Sequence, residues 1–434
     1  MGSLKIVNGY VWVDEDLQEA QILIRDGRVE QISRHVREPS EVLDAKGCLV
    51  LPGLIDVHTH LRDWGESYKE DLVSGTRAAV AGGFTTILEM PNTLPPIDSP
   101  QRLRERRDSM VGRVHCDVAS YALPKRPADI PALRAAGAVA LKVYMHRSFG
   151  NEDYSQEERL SELLTTSARE NIVVAFHAEH PNMLRRIEGW YDSRIHSQAH
   201  PPAAEYEAIR LILDVAQRIP GALVHIAHTT TRDAVRLIRA ARRRGVKVTC
   251  EATPHHLTLT SKALSVLGRM GTVEPPLRGK RDCEALQAAL ARGNVDMIAT
   301  DHAPHAEHEK ASPTPPPGFP GLETAVAVTL KLVNQGLIPL NVWIRALTTA
   351  PARAFRLPGR GELKPNCVAN ITIIDLKKRW RIDASRFESK AHYSPFDGWE
   401  VQGKTYATIV NGVVAYLDGE GVSGEFAGRY VPGA

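Results

Sequence analysis

Eight short apolar segments alternate along this chain with stretches that are typical of amphipathic helices. The segments are GLIDVHTH, FTTILEMPN, HCDVASYA, AVALKVYM, NIVVAFHAE, ALVHIAHT, VKVTCEATPHH and DMIATDHAPH. Apolar strands linked by helices indicate a parallel sheet that is buried on both faces. Eight such units predict an α/β protein built on a (β/α)8 TIM-like barrel. The alternative is an open, doubly wound sheet, and the lack of a GxGxxG motif after the first strand counts against it.

The two ends of the chain have a different pattern, with short strands and tight turns. IRDGRV near the N-terminus places an Asp-Gly turn between apolar segments, and TYATIVNGVVAYL near the C-terminus contains an Asn-Gly turn. Both dipeptides favour two-residue β-hairpins. We therefore expect residues 1–50 and 360–434 to pair into one small β-domain, and residues 51–359 to form a catalytic barrel.

Charge and cysteine content narrow the classes of function. The chain of 434 residues has a net charge of +3, which gives no reason to expect nucleic acid as a partner. Its five cysteines are scattered without a CxxC pair, so neither a disulfide framework nor a structural zinc site is expected. We expect no signal peptide and no membrane span, and therefore a cytoplasmic protein that acts on a small molecule.

Nearly every apolar segment ends in a polar side chain that can bind a metal or a substrate. These side chains are His58, His60, Asn92, Lys142, His177, His228, Glu251 and Asp301. Barrels carry their active sites at the carboxyl ends of the strands. His58 and His60 stand two residues apart, so a strand points both imidazoles to one face. Together with the carboxylate of Asp301, they predict a hydrolase that activates water with metal.

Four histidines and one aspartate exceed what a single zinc ion needs, so we expect two metal ions that share a bridging hydroxide. A bridging ligand is then required, and Lys142 stands at a suitable strand end. A protonated lysine beside two dications is untenable, whereas carbamylation by CO₂ would give an anionic bridge. The alternative for Lys142 is an ordinary ion pair with a carboxylate.

Several motifs give the chain a family resemblance. They are PGLIDVHTHLRD, the MPNT within Glu89–Thr93 followed by Pro95-Pro96, LKVYM, FHAE, TCEATPHH, TDHAPH and GFPGLET. Over about residues 50 to 430 the chain resembles the amidohydrolase superfamily, and long-type dihydroorotases in particular. The HxH motif is widespread in that superfamily, while MPNTxPP followed by TDHAPH is more specific. Hydantoinases and allantoinases look similar in their metal ligands.

The resemblance implies a role for each of nine residues. The more buried ion, expected to be zinc, would be held by His58, His60, Asp301 and carbamylated Lys142. The second ion would be held by Lys142, His177 and His228, with His225 as the competing candidate on the sixth strand. The substrate's α-carboxylate would be bound by Arg62, Asn92 and His305. Asp301 would also carry the proton, as general base for hydrolysis and general acid for ring closure.

The implied reaction is the reversible cyclisation of N-carbamoyl-L-aspartate to L-dihydroorotate, a step of de novo pyrimidine biosynthesis. One rival is a hydantoinase or allantoinase, which also hydrolyses a cyclic amide. Another rival is a catalytically silent barrel that binds aspartate carbamoyltransferase. Such a protein would be recognised by the loss of metal ligands. The active enzyme also has aspartate carbamoyltransferase as a possible partner.

The sequence departs from the family at two positions. Glu274 stands in TVEPPLR where relatives commonly carry asparagine or another non-acidic residue, and Arg278 is its candidate partner. Ala227 replaces a cysteine that some relatives have, which argues against a third metal there. Glu251 is then expected to contact the metal ligands and not the metal itself.

Two segments are candidates for covering the site, namely Ala306–Pro320 and RSFGNEDYSQ after Lys142. For Ala306–Pro320, a plain surface loop is the alternative. His115, His255, His256 and His302 are expected to be structural or supporting residues.

Overall fold

The computed structural model describes residues 3–37, 41–146, 152–187, 189 and 191–434. Within these residues the chain forms two sheets, one of eight strands and one of nine. The strands are β1 Leu4–Val13, β2 Asp16–Arg25, β3 Arg28–Ser33, β4 Glu41–Asp44, β5 Leu49–Pro52, β6 Leu54–Thr59, β7 Phe84–Glu89, β8 Asp117–Ala122, β9 Ala140–Tyr144, β10 Val174–His177, β11 Leu223–Ile226, β12 Lys247–Ala252, β13 Met297–Ile298, β14 Ile371–Arg381, β15 Glu400–Val410, β16 Val413–Leu417 and β17 Gly421–Val422.

The helices lie mainly between the strands of the eight-stranded sheet. They are α1 Leu72–Gly82, α2 Pro100–Ser109, α3 Ile130–Ala135, α4 Glu157–Arg169, α5 Ser193–Ala199, α6 Pro202–Gln217, α7 Arg232–Arg243, α8 Pro254–Thr258, α9 Leu264–Leu267, α10 Lys280–Ala291, α11 Glu307–Lys310, α12 Ala325–Asn334, α13 Leu340–Leu347 and α14 Thr349–Ala354. No helix in the described part of the chain is long and apolar enough to cross a membrane.

The eight-stranded sheet is a nearly closed parallel barrel, as the alternation of apolar segments predicts. Strands β6 to β13 follow one another in sequence order around it, and each of the eight predicted segments contains one of them. Thr59 bridges to His302 in parallel register, and the His60 backbone N–H donates to the His302 carbonyl at 2.7 Å. The end of β6 therefore lies against the segment that follows β13, which closes the barrel.

A buried carboxylate below the mouth of the barrel helps to hold this closure. Asp56 on β6 accepts hydrogen bonds from the Thr300 backbone N–H at 3.1 Å and from the Thr300 hydroxyl at 2.5 Å. It also accepts the His58 backbone N–H at 3.1 Å. One side chain thus fixes the first strand relative to the segment that carries Asp301.

The nine-stranded sheet joins the two ends of the chain and confirms the predicted β-domain. β5 pairs in parallel with β1 and antiparallel with β14, so the N-terminal and C-terminal strands share one sheet. Its core includes Ile6, Ile22, Val50, Ile371 and Ile409, all of which are buried. Because β5 extends to Pro52, the sheet continues past residue 50; the exact domain boundaries stay a prediction.

The last residues of the chain return to the barrel. The Gly428 backbone N–H donates to the Val114 carbonyl at 3.0 Å, and Tyr430 bridges to Val118 on β8. Within the terminal region, Phe387 and Phe396 pack with Leu259 and Phe319 of the barrel in a separate apolar cluster. These contacts give the β-domain two further points of attachment to the barrel.

Candidate active site

One cavity at the carboxyl end of the barrel strands brings the predicted site residues together. Its volume is about 290 Å³. All nine residues predicted to bind metal or substrate line it: His58, His60, Arg62, Asn92, Lys142, His177, His228, Asp301 and His305.

His58 and His60 present the same ring nitrogen to the cavity because each has its other nitrogen occupied. His58 Nδ1 lies 2.5 Å from Glu251 Oε1, and His60 Nδ1 lies 2.7 Å from the carboxamide oxygen of Asn92. Both partners are acceptors, so both Nδ1 atoms carry hydrogen in the neutral rings. The two Nε2 atoms are therefore left with lone pairs that point towards Asp301.

The Nε2 atoms of His58 and His60 each lie 3.2 Å from Asp301 Oδ1. Burial lowers the pKa of His60 to about 4, so this ring is neutral near neutral pH. Burial opposes ionisation of Asp301, whereas positive charge on the neighbouring His58 and His60 lowers the pKa of its carboxyl; beside neutral rings a metal ion would supply that charge. Lone pairs thus face a carboxylate, an arrangement that a divalent cation satisfies. His228 brings a ligand atom within 4.8 Å of those of His58 and Asp301.

Lys142, the residue expected to be carbamylated, lies deep in the cavity. Its side chain is fully buried and its Nζ has no hydrogen-bond partner among the described residues, which disfavours the alternative of an ordinary ion pair. Burial lowers the pKa of Lys142 to about 8, so about a tenth of it is neutral amine at pH 7, far more than for an exposed lysine. A neutral amine can form an N–C bond with CO₂ and lose a proton, which leaves a carbamate anion. The oxygens of that anion would be the bridging metal ligands that an unmodified lysine cannot provide.

His177 and His228 line the same cavity as Lys142, with their ring centroids 4.5 Å apart. His177 Nε2 is 2.7 Å from Glu179 Oε2, which leaves Nδ1 available to a metal ion. The competing residue His225 has both ring nitrogens engaged, with Thr249 at 2.9 Å and Glu251 at 3.0 Å. The geometry therefore favours His228 over His225 as the sixth-strand ligand.

Glu251 supports the ligands from behind. It contacts His58 and His225 through its two oxygens and also accepts the His228 backbone N–H at 3.0 Å. Burial opposes its ionisation, but His58 and His225 hold the pKa of Glu251 well below its usual range. A carboxylate behind a metal-binding imidazole fixes the tautomer and makes the ring a stronger ligand.

We expect Glu251→Gln to weaken metal affinity by about 10- to 100-fold, because the charge that orients His58 is lost. Competition with a chelator would measure the effect. Glu205→Gln is a matched control, since Glu205 is equally buried but bonds Thr230 away from the cavity. Equal metal affinity in the two variants would show that Glu251 has no part in orienting the ligands.

Arg62 and His305 form a polar pair at the edge of the cavity. Arg62 is buried, donates from Nε to the Pro304 carbonyl at 3.1 Å, and has Nη2 3.1 Å from His305 Nε2. Burial, with the nearby charge of Arg62, holds the pKa of His305 well below its usual range. The pair is thus a fixed guanidinium beside a neutral imidazole. Asn92 keeps its amide hydrogens available, because its oxygen already accepts from His60.

The sequence analysis missed further residues that line the cavity, among them Tyr144 and His146. Lys142, Tyr144 and His146 follow one another at every second position, so the alternation of a strand could have indicated both. His146 Nε2 lies 2.5 Å from Glu274 Oε1. Arg278, the candidate partner of Glu274, instead donates to the Thr230 hydroxyl at 3.0 Å and the His200 carbonyl at 2.6 Å.

The segment Ala306–Pro320 forms part of the cavity wall, since Pro316, Pro317 and Gly318 line it. Lys310 is fully buried and donates from Nζ to the carbonyls of Thr272 and Pro316, both at 2.9 Å. These bonds hold the proline-rich segment against the barrel. The other candidate cover comprises residues 147–156, of which 147–151 lie outside the described residues. Four histidines are expected to be structural or supporting residues, and none of them lines the cavity: His115, His255, His256 and His302.

Comparisons with known proteins show the family and the fold. The sequence model of the amidohydrolase family matches residues 49–415. A protein named dihydroorotase from Citrifermentans bemidjiense is 37% identical over 409 residues, which cover 91% of this chain and 94% of the relative. One of the same name from Bacillus cereus is 37% identical over 408 residues, covering 91% and 94%. The solved L-hydantoinase (dihydropyrimidinase) of Arthrobacter aurescens has a TM-score of 0.91 at 28% identity and covers 100% of both chains.

Proposed function

Because the chain belongs to the amidohydrolase family, we propose that it is a dihydroorotase of de novo pyrimidine biosynthesis. It would interconvert N-carbamoyl-L-aspartate and L-dihydroorotate. The observation that carries the proposal is the buried Arg62–His305 pair in the same cavity as the metal-competent cluster. A guanidinium fork is suited to a carboxylate, and dihydroorotate differs from uncharged cyclic ureides by carrying one.

One group of residues would bind the carboxylate of the substrate, and another would hold the metal ions beside the reacting carbonyl. Arg62, Asn92 and His305 would bind the carboxylate and fix the ring relative to Asp301. Two divalent ions, with zinc as the expected metal, would activate water and polarise the reacting carbonyl when bound. Their ligands would be His58, His60, carbamylated Lys142, His177, His228 and Asp301.

Asp301 would move the proton. Its carboxylate lies at the centre of the cluster, within 3.2 Å of the Nε2 atoms of His58 and His60. In hydrolysis it would accept a proton from the attacking water and pass it to the departing ring nitrogen. In ring closure the same carboxyl would act in the opposite order, as microscopic reversibility requires.

The second candidate is a hydantoinase-type enzyme that takes uncharged rings. The full-length similarity to an L-hydantoinase favours it, as does the acidic Glu274 in a cavity that would receive an anion. The deciding experiment compares kcat/KM for dihydroorotate, dihydrouracil and hydantoin with the metal-replete enzyme. A clear preference for dihydroorotate supports the proposal, and a preference for the uncharged rings replaces it with the second candidate.

We expect Arg62→Met to lower kcat/KM for dihydroorotate by about 10- to 100-fold and to change dihydrouracil much less. The loss of a charge-assisted donor to a carboxylate costs about 1.5–3 kcal/mol, and each factor of ten is about 1.4 kcal/mol. Lys69→Met is the matched control, because Lys69 also lines the cavity but is already paired with Glu66 at 2.7 Å. If both variants lose the same factor, the general charge of the cavity and not the guanidinium fork governs substrate choice.

The complete set of predicted ligands in one cavity disfavours the catalytically silent barrel. Association with aspartate carbamoyltransferase and a location in the cytoplasm stay predictions. Co-purification of the two proteins from a cell extract, followed by reconstitution from the pure components, would test the association.

A further inference from the structure

A second group of metal-competent side chains lies beside the catalytic cavity and has no part in the proposed reaction. It consists of His196, His200 and Glu274, whose ligand atoms all lie within 4.8 Å of one another. His196 is buried, and the other two are mostly buried. Glu274 also lines the catalytic cavity, so this group adjoins the proposed metal pair without sharing any of its ligands.

The spacing of the two histidines is that of a helical metal site. His196 lies in α5, and His200 follows its last residue, Ala199. Residues four apart fall on one face of a helix, and two histidines so placed can hold one zinc ion. Their ring centroids are 4.4 Å apart. A carboxylate from a distant part of the chain, here Glu274, completes a set of two imidazoles and one carboxylate.

Both rings are oriented to offer Nε2. His200 Nδ1 lies 3.1 Å and 3.2 Å from the two oxygens of Glu179, so it carries a hydrogen, and in the neutral ring Nε2 has the lone pair that a metal ion would take. His196 is buried, and its Nε2 has no hydrogen-bond partner among the described residues. Supporting bonds of this kind fix the tautomer of metal-binding histidines.

The charge of Glu274 gives a second reason to look for a cation here. A carboxylate in a cavity that receives an anionic substrate opposes binding unless its charge is balanced. His146 Nε2 lies 2.5 Å from Glu274 Oε1. A divalent ion bound by the carboxylate would add positive charge at this position.

We propose that His196, His200 and Glu274 hold a third divalent cation, of the class to which zinc belongs. Two imidazoles and one carboxylate are a known zinc donor set that leaves a fourth position open for water or a ligand. The site is built from residues other than Ala227 and Glu251, where the sequence argued against a third metal. The donor set does not depend on which cyclic amide the enzyme takes, whereas the argument from the charge of Glu274 rests on the proposed anionic substrate.

The test uses zinc alone as the probe. Crystals of the holoenzyme soaked in zinc chloride would be measured at wavelengths on both sides of the zinc absorption edge. We expect a third anomalous peak between His196, His200 and Glu274, separate from the peaks at the catalytic cavity. In solution, elemental analysis of zinc-saturated enzyme is expected to give three ions per chain.

The double variant His196→Asn/His200→Asn is expected to bind one ion fewer and to retain the two at the catalytic cavity. His180→Asn is the matched control, since His180 lies on the same stretch of chain but outside the group, and it should keep all three ions. A zinc-saturated wild-type crystal without a peak at this position would overturn the proposal and leave an ion pair between Glu274 and His146 as the explanation. The wild-type map decides the matter even if the double variant fails to fold.

Discussion

Replacing Asp301 by asparagine is expected to lower the rate of both ring opening and ring closure by at least about 10²–10⁴-fold, the contribution typical of one general acid or base. The reason is that a single carboxylate is assigned the proton in both directions. Asparagine keeps the size of the side chain but cannot carry the proton, and it is also a poorer metal ligand. Initial rates with dihydroorotate and with carbamoyl aspartate would measure the two directions.

Metal content must be measured on the same Asp301→Asn samples, because a variant that loses an ion also loses activity. A variant that keeps its ions and is slow in both directions supports the role of Asp301 in proton transfer. Near-wild-type rates in either direction would show that another group carries the proton.

Lys142→Ala is expected to abolish measurable activity and to remove one of the two catalytic ions. The fully buried Nζ has no hydrogen-bond partner among the described residues, so the ammonium form makes no hydrogen bond here, whereas a carbamate would bridge the ions. Alanine leaves a gap of carboxylate size. Acetate or propionate at millimolar concentration should therefore restore part of both the metal binding and the rate.

The comparison for Lys142→Ala is Lys310→Ala, which removes another fully buried lysine whose Nζ bonds two backbone carbonyls. That variant is expected to lose stability but not to respond to added carboxylic acids. A Lys142→Ala enzyme that binds both ions and turns over without added acid would contradict the carbamate. So would clear electron density for an unmodified amine in a fully metallated crystal.

The barrel and most of its site follow from local patterns in the sequence. The apolar segments mark the strands, and barrel geometry gathers the residues at their carboxyl ends, which is why His58, Lys142 and Asp301 line one cavity. The turn signals show that both chain ends form β-hairpins, which is why we expect the two ends to share a sheet. They do not indicate the register between β5 and β14.

Other features depend on contacts that local patterns do not encode. The pairing of Glu274 with His146 joins two loops far apart in the chain, and the nearby Arg278 offered a plausible but wrong partner. Lys310 lies in a segment that has the composition of a solvated loop, yet it is fully buried. Its burial depends on carbonyl groups supplied by Thr272 and Pro316, whose positions only the folded chain defines.

The closure of the barrel between Thr59 and His302 determines when the proposed metal site can form during folding. His60 and Asp301 are separated by 241 positions in the chain and meet only across this seam. A growing chain that has not yet placed its eighth strand therefore has histidines but no aspartate to complete the more buried site. Metal binding contributes to the free energy of folding only where the ligands are assembled. The more buried ion would therefore stabilise the contact between the first strand and the segment after the eighth strand, and would do so late in folding. The finished ring would then be the form in which the more buried metal site is complete and the enzyme is active.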